Sequence, residues 1–430
     1  MNEEQKQAVL IAKLGKNIFI TGPAGTGKTY VLRTIIENAE NSNKNVQVTA
    51  STGMAASLLM DLSVNGSRTL HSFIGFKMID QQKTAEQVAE RIRMSKIHRK
   101  RLNDVDVLVI DEFSMISLDC FKKVDAVLRR VRSRPNQPFG GVQMILSGDF
   151  FQLGPVQSRL EKNVFEDPIW EQSNLHTVQL IKVYRQSNED FLNMLAKIRV
   201  GNVDASVCKL IDQTSKNKLE NDMGIKPTVL YACNEDVDRM NREELDRLPG
   251  KLVTHRAIDV NITEQTTAMI NLPEILNLKV DAQVMVTMNI PFLEVVNGSR
   301  GVVTSISDTR VQLRLLSGRT VNITRCVQEF DDDVSGKECS RAQFPLKLAW
   351  TMTIHKCQGQ SIDYLVIDMS RIFADGQAYT AISRGTNLSN MSICNFNPRC
   401  VRVNRAVLEY FTKDHQEQPT KKICYRLGTM

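Results

Sequence analysis

The sequence predicts an α/β fold, a parallel sheet covered by helices on both faces, with a small all-β unit inserted in its second half. Three observations predict it. Short β-type runs alternate with helical patterns from the start of the chain to about residue 250. The first of those runs opens into a loop with Gly22, Gly25 and Gly27, and then into a helix. From about 251 to 345, apolar residues instead alternate singly with polar ones, the period of a half-buried strand.

Residues 1–16 read as a helix carrying Gln5, Ala8 and Val9 into the first strand. That strand, Ile18 to Ile20, is short and apolar enough to be buried. Gly22 to Thr29 then follows G-x-x-x-x-G-K-[ST], the phosphate-binding loop pattern. In Gly22, Pro23, Ala24, Gly25, Thr26 and Gly27, the glycines let backbone N–H groups curl around phosphate oxygens, where a Cβ would obstruct them. Lys28 is placed to reach β- and γ-phosphates, and the Thr29 hydroxyl to ligate Mg²⁺. The helix from Lys28 to about Asn38 points its positive end at the same anion. A Gly-rich turn with an accidental lysine is the bland alternative, and the order strand, loop, helix speaks against it.

Further strands are expected at Val46 to Ala50, Val105 to Ile110, Met144 to Ser147 and Val178 to Ile181. Val105 to Ile110 ends in Asp111 and Glu112. The first carboxylate is positioned to hold Mg²⁺, the second to accept a proton from attacking water. Met144 to Leu146 leads into Ser147-Gly-Asp-Phe-Phe-Gln, where Gln152 is placed to feel the γ-phosphate or orient the water. A helix at 118–132 buries Phe121, Val124, Leu128 and Val131 at three- and four-residue spacing. This first unit ends near Tyr184.

In the second unit, Ser187 and Asp190 have capping-box spacing for a helix reaching about Val200. Another helix, a strand from Thr228 to Ala232 and a polar helix from Asn234 to Leu248 follow. Residues 251–345 read as an all-β insertion, a five-stranded barrel, with a hairpin turn at Leu316-Ser-Gly-Arg. After Leu346 the α/β pattern resumes, with a strand at Leu365 to Ile367 and helices near 375–384 and 402–412. The last dozen residues are polar and expected to fray. Hydrolysis also needs cations where charge develops. Arg185 and Arg384 are the candidates, although spacing alone favours a solvated arginine for each.

The chain has 430 residues, 42% hydrophobic and 24% charged, an ordinary globular composition. No apolar run approaches the roughly 18–20 residues that span a bilayer. The N-terminus is polar and acidic, so neither a secretory nor a mitochondrial signal is expected. Nine scattered cysteines with no C-x-x-C pair argue for a reducing compartment, cytoplasm or nucleus. A net charge of +7 permits a polyanion partner without establishing one. Basic clusters at Arg91 to Arg101 and Arg129 to Arg134 read as solvated helix faces, with nonspecific phosphate contact as their functional alternative.

The ordered motifs resemble DNA helicases of superfamily 1, group B, and within it the Pif-type and RecD-like branch. Asn2-Glu-Glu-Gln-Lys-Gln-Ala resembles the nucleotide-sensing Q motif, which puts Gln5 against adenine. Gly22 to Thr29 is similar to motif I, Asp111-Glu112 to motif II and Gly148 to Gln152 to motif III. Thr49-Ala-Ser-Thr-Gly-Met-Ala-Ala resembles motif Ia, implying strand contacts by Thr52 and Gly53. Thr69-Leu-His-Ser-Phe resembles the next DNA-contacting motif, implying His71 and Phe73. Asp119 to Val156, through Pro138-Phe-Gly-Gly-Val-Gln, is similar to the stretch that sets Pif-type enzymes apart. Arg185 falls on motif IV, and Asn234 resembles a DNA-backbone contact. Thr353-Ile-His-Lys-Cys-Gln-Gly-Gln-Ser is similar to motif V. It implies DNA contacts by Thr353, His355 and Lys356 and nucleotide contacts by Gln358 and Gly359. Ala381 to Arg384 resembles motif VI, which makes Arg384 the arginine finger and reverses the odds set by spacing alone.

The resemblance implies two tandem RecA-like P-loop domains. Domain 1A would span 1–184 with a small 1B element near 157–170. Domain 2A would take 185–250 and 346–430, and an SH3-like insertion 251–345. It implies ATP and Mg²⁺ as cofactors and single-stranded and 5′-tailed duplex DNA as partners. The expected action is 5′→3′ unwinding, as a soluble monomer, in replication, repair or recombination, with telomere maintenance a further possibility. The alternative is a DNA-stimulated ATPase that remodels nucleoprotein without strand separation. Two departures stand out: Gly154 where the family has proline, and Cys357 where it has a small hydroxyl residue. The first is expected to loosen the loop after Gln152, the second to bring a thiol near the nucleotide. The chain reads as close to a bare core, without the family's terminal extensions.

Overall fold

The computed structural model describes residues 1–155, 162–219, 224–263, 270, 272–331 and 338–417. The opening helix, Glu3–Lys13, starts on a reciprocal cap: Gln5 N–H donates to Asn2 Oδ1 at 2.9 Å and Asn2 N–H to Gln5 Oε1 at 3.1 Å. Strands β1 (Ile18–Thr21), β2 (Val46–Ala50), β3 (Ser67–Thr69), β4 (Val107–Asp111), β5 (Gln143–Gly148) and β6 (His176–Gln179) form a six-stranded sheet in the order β3-β2-β4-β5-β1-β6. Every pairing in it is parallel. β1, β2, β4 and β5 are buried on both faces, as unbroken apolar runs in a helix-covered sheet should be. Because β4, β5 and β1 are neighbours, the loops after Thr21, Asp111 and Gly148 emerge side by side at one edge.

The second sheet begins with β7 (Thr228–Tyr231). A long β region then intervenes. It comprises β8 (Val253–Arg256), β9 (Ile258–Val260), β10 (Ile275–Leu278), β11 (Gln283–Val286), β12 (Arg300–Ile306), β13 (Arg310–Leu315), β14 (Thr320–Thr324), β15 (Cys326–Asp331), β16 (Glu338–Gln343) and β17 (Leu346–Leu348). β18 (Thr351–Thr353), β19 (Leu365–Asp368) and β20 (Met391–Cys394) complete a parallel sheet in the order β18-β7-β19-β20.

The intervening region is not one five-stranded barrel. It divides into a five-stranded antiparallel sheet, β14-β13-β12-β11-β17, a three-stranded sheet, β15-β16-β9, and the pair β10-β8. Its last strand, β17, lies past residue 345 and pairs with β11. β11 is buried on both sides because it separates two cores. Val284 and Val286 face the insertion, while Met285 packs with the core of the α/β units. The buried Arg300 guanidinium reaches Thr228 Oγ1 on β7, and Gln283 Nε2 donates to Lys226 O at 2.9 Å. The insertion is thereby fastened to the second sheet.

Other differences are local. Asn188, not Ser187, caps the Glu189–Arg199 helix, its Oδ1 accepting Phe191 N–H at 2.8 Å. The three-residue strands β3 and β18, and the strand β20, carry too little pattern to have been expected. Residues 157–161 of the expected 1B element, and the last dozen residues, lie outside the described residues. The C-terminal helix, Arg405–Glu417, returns to the first unit: Phe411 packs on Phe150 and Phe151, and Trp170 Nε1 donates to Tyr410 Oη at 2.9 Å.

Candidate active site

The loop after β1 is shaped by glycine. Gly22 has φ +144°, and a Cβ there would lie 2.3 Å from Leu180 O; at Gly25, φ +81°, it would lie 2.7 Å from Arg185 Cβ. The loop can approach the segment that follows β6 only because both side chains are absent. Lys28 Nζ donates to Gly22 O at 2.8 Å and Pro23 O at 3.0 Å, so the ammonium closes its own loop. Burial lowers the Lys28 pKa, opposed by Asp149, Glu112 and Asp111. Thr26 Oγ1 donates to Pro23 O, and Gln5 Nε2 braces the loop by donating to Thr26 O at 3.2 Å.

A cavity of about 350 Å³ opens beside this loop. Ala24, Gly25, Gly27, Lys28 and Thr29 form one wall, and Asp111, Glu112 and Gln152 the next. Arg185, Gly359 and Arg384 line it from the other unit. Burial, and then the neighbouring Glu112 carboxylate, push Asp111 up to about 6, with Lys28 opposing. A buried carboxylate destabilised in this way, lining the same cavity as Thr29, suits a divalent cation, and the glycine cradle suits a phosphate chain.

Glu112 adopts a left-handed φ of +50°, which turns the chain sharply after β4. Its Oε2 accepts Gln358 Nε2 at 2.9 Å, a contact between the units. Arg384 is 1% exposed. Its Nε donates to Thr380 O at 3.0 Å, Nη1 to Gln360 O at 3.3 Å, and Nη2 to Ser383 Oγ at 2.9 Å and Gln152 Oε1 at 3.4 Å. Arg185 Nη1 donates to Ser383 O at 3.2 Å; burial, and then the adjacent Arg384 charge, lower its pKa to about 10.

Lys28, Thr29, Asp111, Glu112, Gln152, Arg185, Gly359 and Arg384 thus meet at one cavity. Gln358 touches Glu112, and Gln5 touches the loop. Two exposed rings missed in the sequence, Tyr30 and Tyr184, flank Gly27 and offer faces for a base.

The residues expected to touch DNA separate into two groups. Thr52 and Gly53 are half-exposed where the Gly53–Leu58 helix starts, with Thr52 Oγ1 accepting Ala55 N–H at 3.2 Å. His71, Asn234 and Lys356 are exposed and His355 half-buried. Phe73 is corrected: it is 1% exposed, packed in the core with Arg101 above its ring. Thr353 is corrected too, being buried with its hydroxyl accepting Lys356 N–H at 3.3 Å.

The basic clusters are not simply solvated faces. Arg91 pairs with Asp80 and donates to Gly75 O, Arg129 pairs with Asp125, and Arg132 donates to the carbonyls of Gly140, Leu102, Asn103 and Val105. Cys357 does not line the cavity; its thiol donates to Ile354 O at 3.1 Å, with burial pushing its pKa up to about 12. Just before Gly154, Leu153 N–H donates to Thr380 Oγ1 at 2.9 Å, tying this end of the loop to the second unit.

Comparison with known proteins accords with this geometry. Residues 1–209 match the family described as PIF1-like helicase. The chain is 35% identical to the ATP-dependent DNA helicase PIF1 of Xenopus laevis over 98% of its own length. It spans 66% of that relative. Among solved structures, the Pif1 helicase of Candida albicans superposes with a TM-score of 0.83 at 34% identity, covering 96% of this chain and 99% of that one. Pif1 of Bacteroides sp in complex with ADP-AlF4 gives a TM-score of 0.76 at 29% identity, with 97% of each chain covered. Identity over most of the chain and a shared fold lead to one conclusion: the chain belongs to the PIF1-like helicase family.

Proposed function

We propose that this chain is an ATP-driven motor that moves 5′→3′ along single-stranded DNA and separates duplex ahead of it. One observation carries the reading: Arg185 and Arg384 from the second unit line the same cavity as Lys28, Asp111 and Glu112 from the first. Nucleotide state is thereby coupled to the distance between the units. The ADP-AlF4 complex of the Bacteroides relative supports ATP as the fuel, and the relatives' name supports DNA as the track. Direction rests on the family resemblance.

In this reading Thr29 and Asp111 hold Mg²⁺, which neutralises phosphate charge when bound. Lys28 and the loop amides bind the phosphates, and the base lies by Gln5, Tyr30 and Tyr184. Glu112 takes a proton from water as the water oxygen attacks the γ-phosphorus and the bond to the ADP oxygen breaks. Gln152 orients that water, and Arg384 and Arg185 stabilise the charge that develops. Thr52, Gly53, His71, Asn234, His355 and Lys356 lie along the strand. Opening a duplex step costs about 1.4 kcal/mol on average, comparable with one base stack on an aromatic ring, so few switching contacts suffice. We further propose domain 1A over 1–184, domain 2A over 185–250 and from 349 onward, and an SH3-like unit over 251–348, its bound moved from 345 to take in β17. A monomer suffices, because both walls of the cleft come from one chain. Among the described residues no helix is long and apolar enough to cross a membrane.

The test is strand separation of 5′-tailed and 3′-tailed duplexes with ATP and Mg²⁺. Unwinding confined to the 5′-tailed substrate is expected. Equal unwinding of both tails would overturn the polarity. DNA-stimulated ATP hydrolysis with no unwinding of either would favour the nucleoprotein-remodelling alternative.

A further inference from the structure

A second set of buried contacts joins the two units beside the cleft, and no role above uses it. Tyr379, on the Gln377–Ile382 helix, is buried, and its hydroxyl accepts the backbone N–H of Ala24 at 3.1 Å. A backbone donor of the phosphate-binding loop is therefore engaged by the opposite unit. The Tyr379 ring lies close enough to interact electrostatically with Arg199, at the end of the Glu189–Arg199 helix. Arg199 grips Asp149 with two bonds, Nη2 to Oδ1 at 2.8 Å and Nε to Oδ2 at 3.2 Å. Its guanidinium carbon sits 3.9 Å from the centre of the Phe151 ring. Asp149 is fully buried and shapes the turn that carries Gln152: its Oδ1 accepts Phe151 N–H at 3.2 Å, and its carbonyl accepts Gln152 N–H at 2.9 Å. Gly376 seals the contact, since a Cβ there would lie 2.6 Å from the carbonyl oxygens of both Phe151 and Gln152.

We propose that Tyr379 and Arg199 are positioning residues, a strut from the second unit that holds the phosphate-binding loop and the Gln152 turn in register with each other. The inference rests on the reading of the cleft as an ATPase site. Asp149 connects to Gln152 within the first unit, whereas the links through Tyr379 and Arg199 both cross between units. Movement of the second unit therefore pulls on the loop that binds phosphate and on the turn that orients water together. An aspartate paired in two directions with an arginine, away from water, is costly to separate, which keeps the linkage stiff. Neither residue reaches the reacting atoms, so loss of the strut should impair the catalytic step more than nucleotide capture.

The test uses the full chain with Tyr379→Phe, Arg199→Lys and the double variant. Thermal melting within a few degrees of the parent establishes folding. With saturating oligo-dT, each single variant should lower kcat for ATP about 10-fold while KM moves less than about 2-fold. The double variant should lose little more than the worse single, as members of one unit do. Hydrogen exchange supplies a readout that needs no turnover: the peptide spanning 22–28 should exchange about 10-fold faster in both single variants. Unchanged exchange there, or losses that multiply in the double variant, would overturn the strut. If the parent shows no ATP turnover while exchange responds as stated, the ATPase reading fails and the strut stands.

Discussion

Lys28 and Arg384 face one cavity from opposite units, and their surroundings differ. The Lys28 ammonium is tied to two carbonyls of its own loop, and burial weakens its hold on its proton. The Arg384 guanidinium is gripped by Thr380, Gln360, Ser383 and Gln152 and is nearly inaccessible. The first unit thus carries cations and carboxylates that can exchange partners, and the second carries a charge fixed in its scaffold. A fixed charge is delivered by moving the scaffold, not by turning a side chain. Chemistry in one half and rigid-body delivery by the other is the division this contrast teaches.

The most severe way to break the contrast is to remove the exchangeable groups. Lys28→Ala or Glu112→Gln should cut ATP turnover by about 10³-fold or more, while Glu112→Gln still binds a fluorescent ATP analogue. Surviving turnover in either variant would place the chemistry elsewhere. Next comes the delivered charge. Arg384→Ala should lower kcat by about 10³-fold with only a several-fold change in nucleotide affinity, and Arg185→Ala should cost less, since its guanidinium is held more lightly, through Ser383 O. Equal losses in affinity and rate would make Arg384 a binding residue and erase the contrast.

The smallest effect concerns stability. Asp111 has its folded pKa raised to about 6 against an ordinary value near 4, so its contribution is fully present below about pH 4 and lost as pH rises through 6. Asp111→Asn should therefore melt a few degrees higher than the parent at pH 7 without nucleotide, and flatten the pH dependence between 4 and 6. A lower melting temperature at pH 7 would mean the carboxylate is stabilised by its surroundings.

The sequence revealed what is contiguous. The loop at 22–29, the acidic strand end at 111–112 and the turn at 148–152 each announce themselves within a few residues, because one strand and its loop supply the whole pattern. Contacts made by distant residues left no such trace. Tyr379 and Ala24 are 355 positions apart, and Gln358 and Glu112 are 246 apart. Tyr379 and Arg199 look like any helical aromatic or terminal arginine until the units are docked. Phe73 and Thr353 failed for a related reason: a motif names the segment near the strand but not which side chains turn inward. The β insertion was legible as β from its period of two. Its division into three sheets depends on which edges meet, and β17 hides beyond the change of pattern.

The tether between the Lys28 ammonium and the carbonyls of Gly22 and Pro23 has a thermodynamic corollary. An anion that draws the ammonium to itself must outbid those two carbonyls, trading existing bonds for better ones. A weakly charged competitor gains little from the trade, and a polyphosphate gains much. Discrimination among anions is therefore built into the bonding of a single side chain.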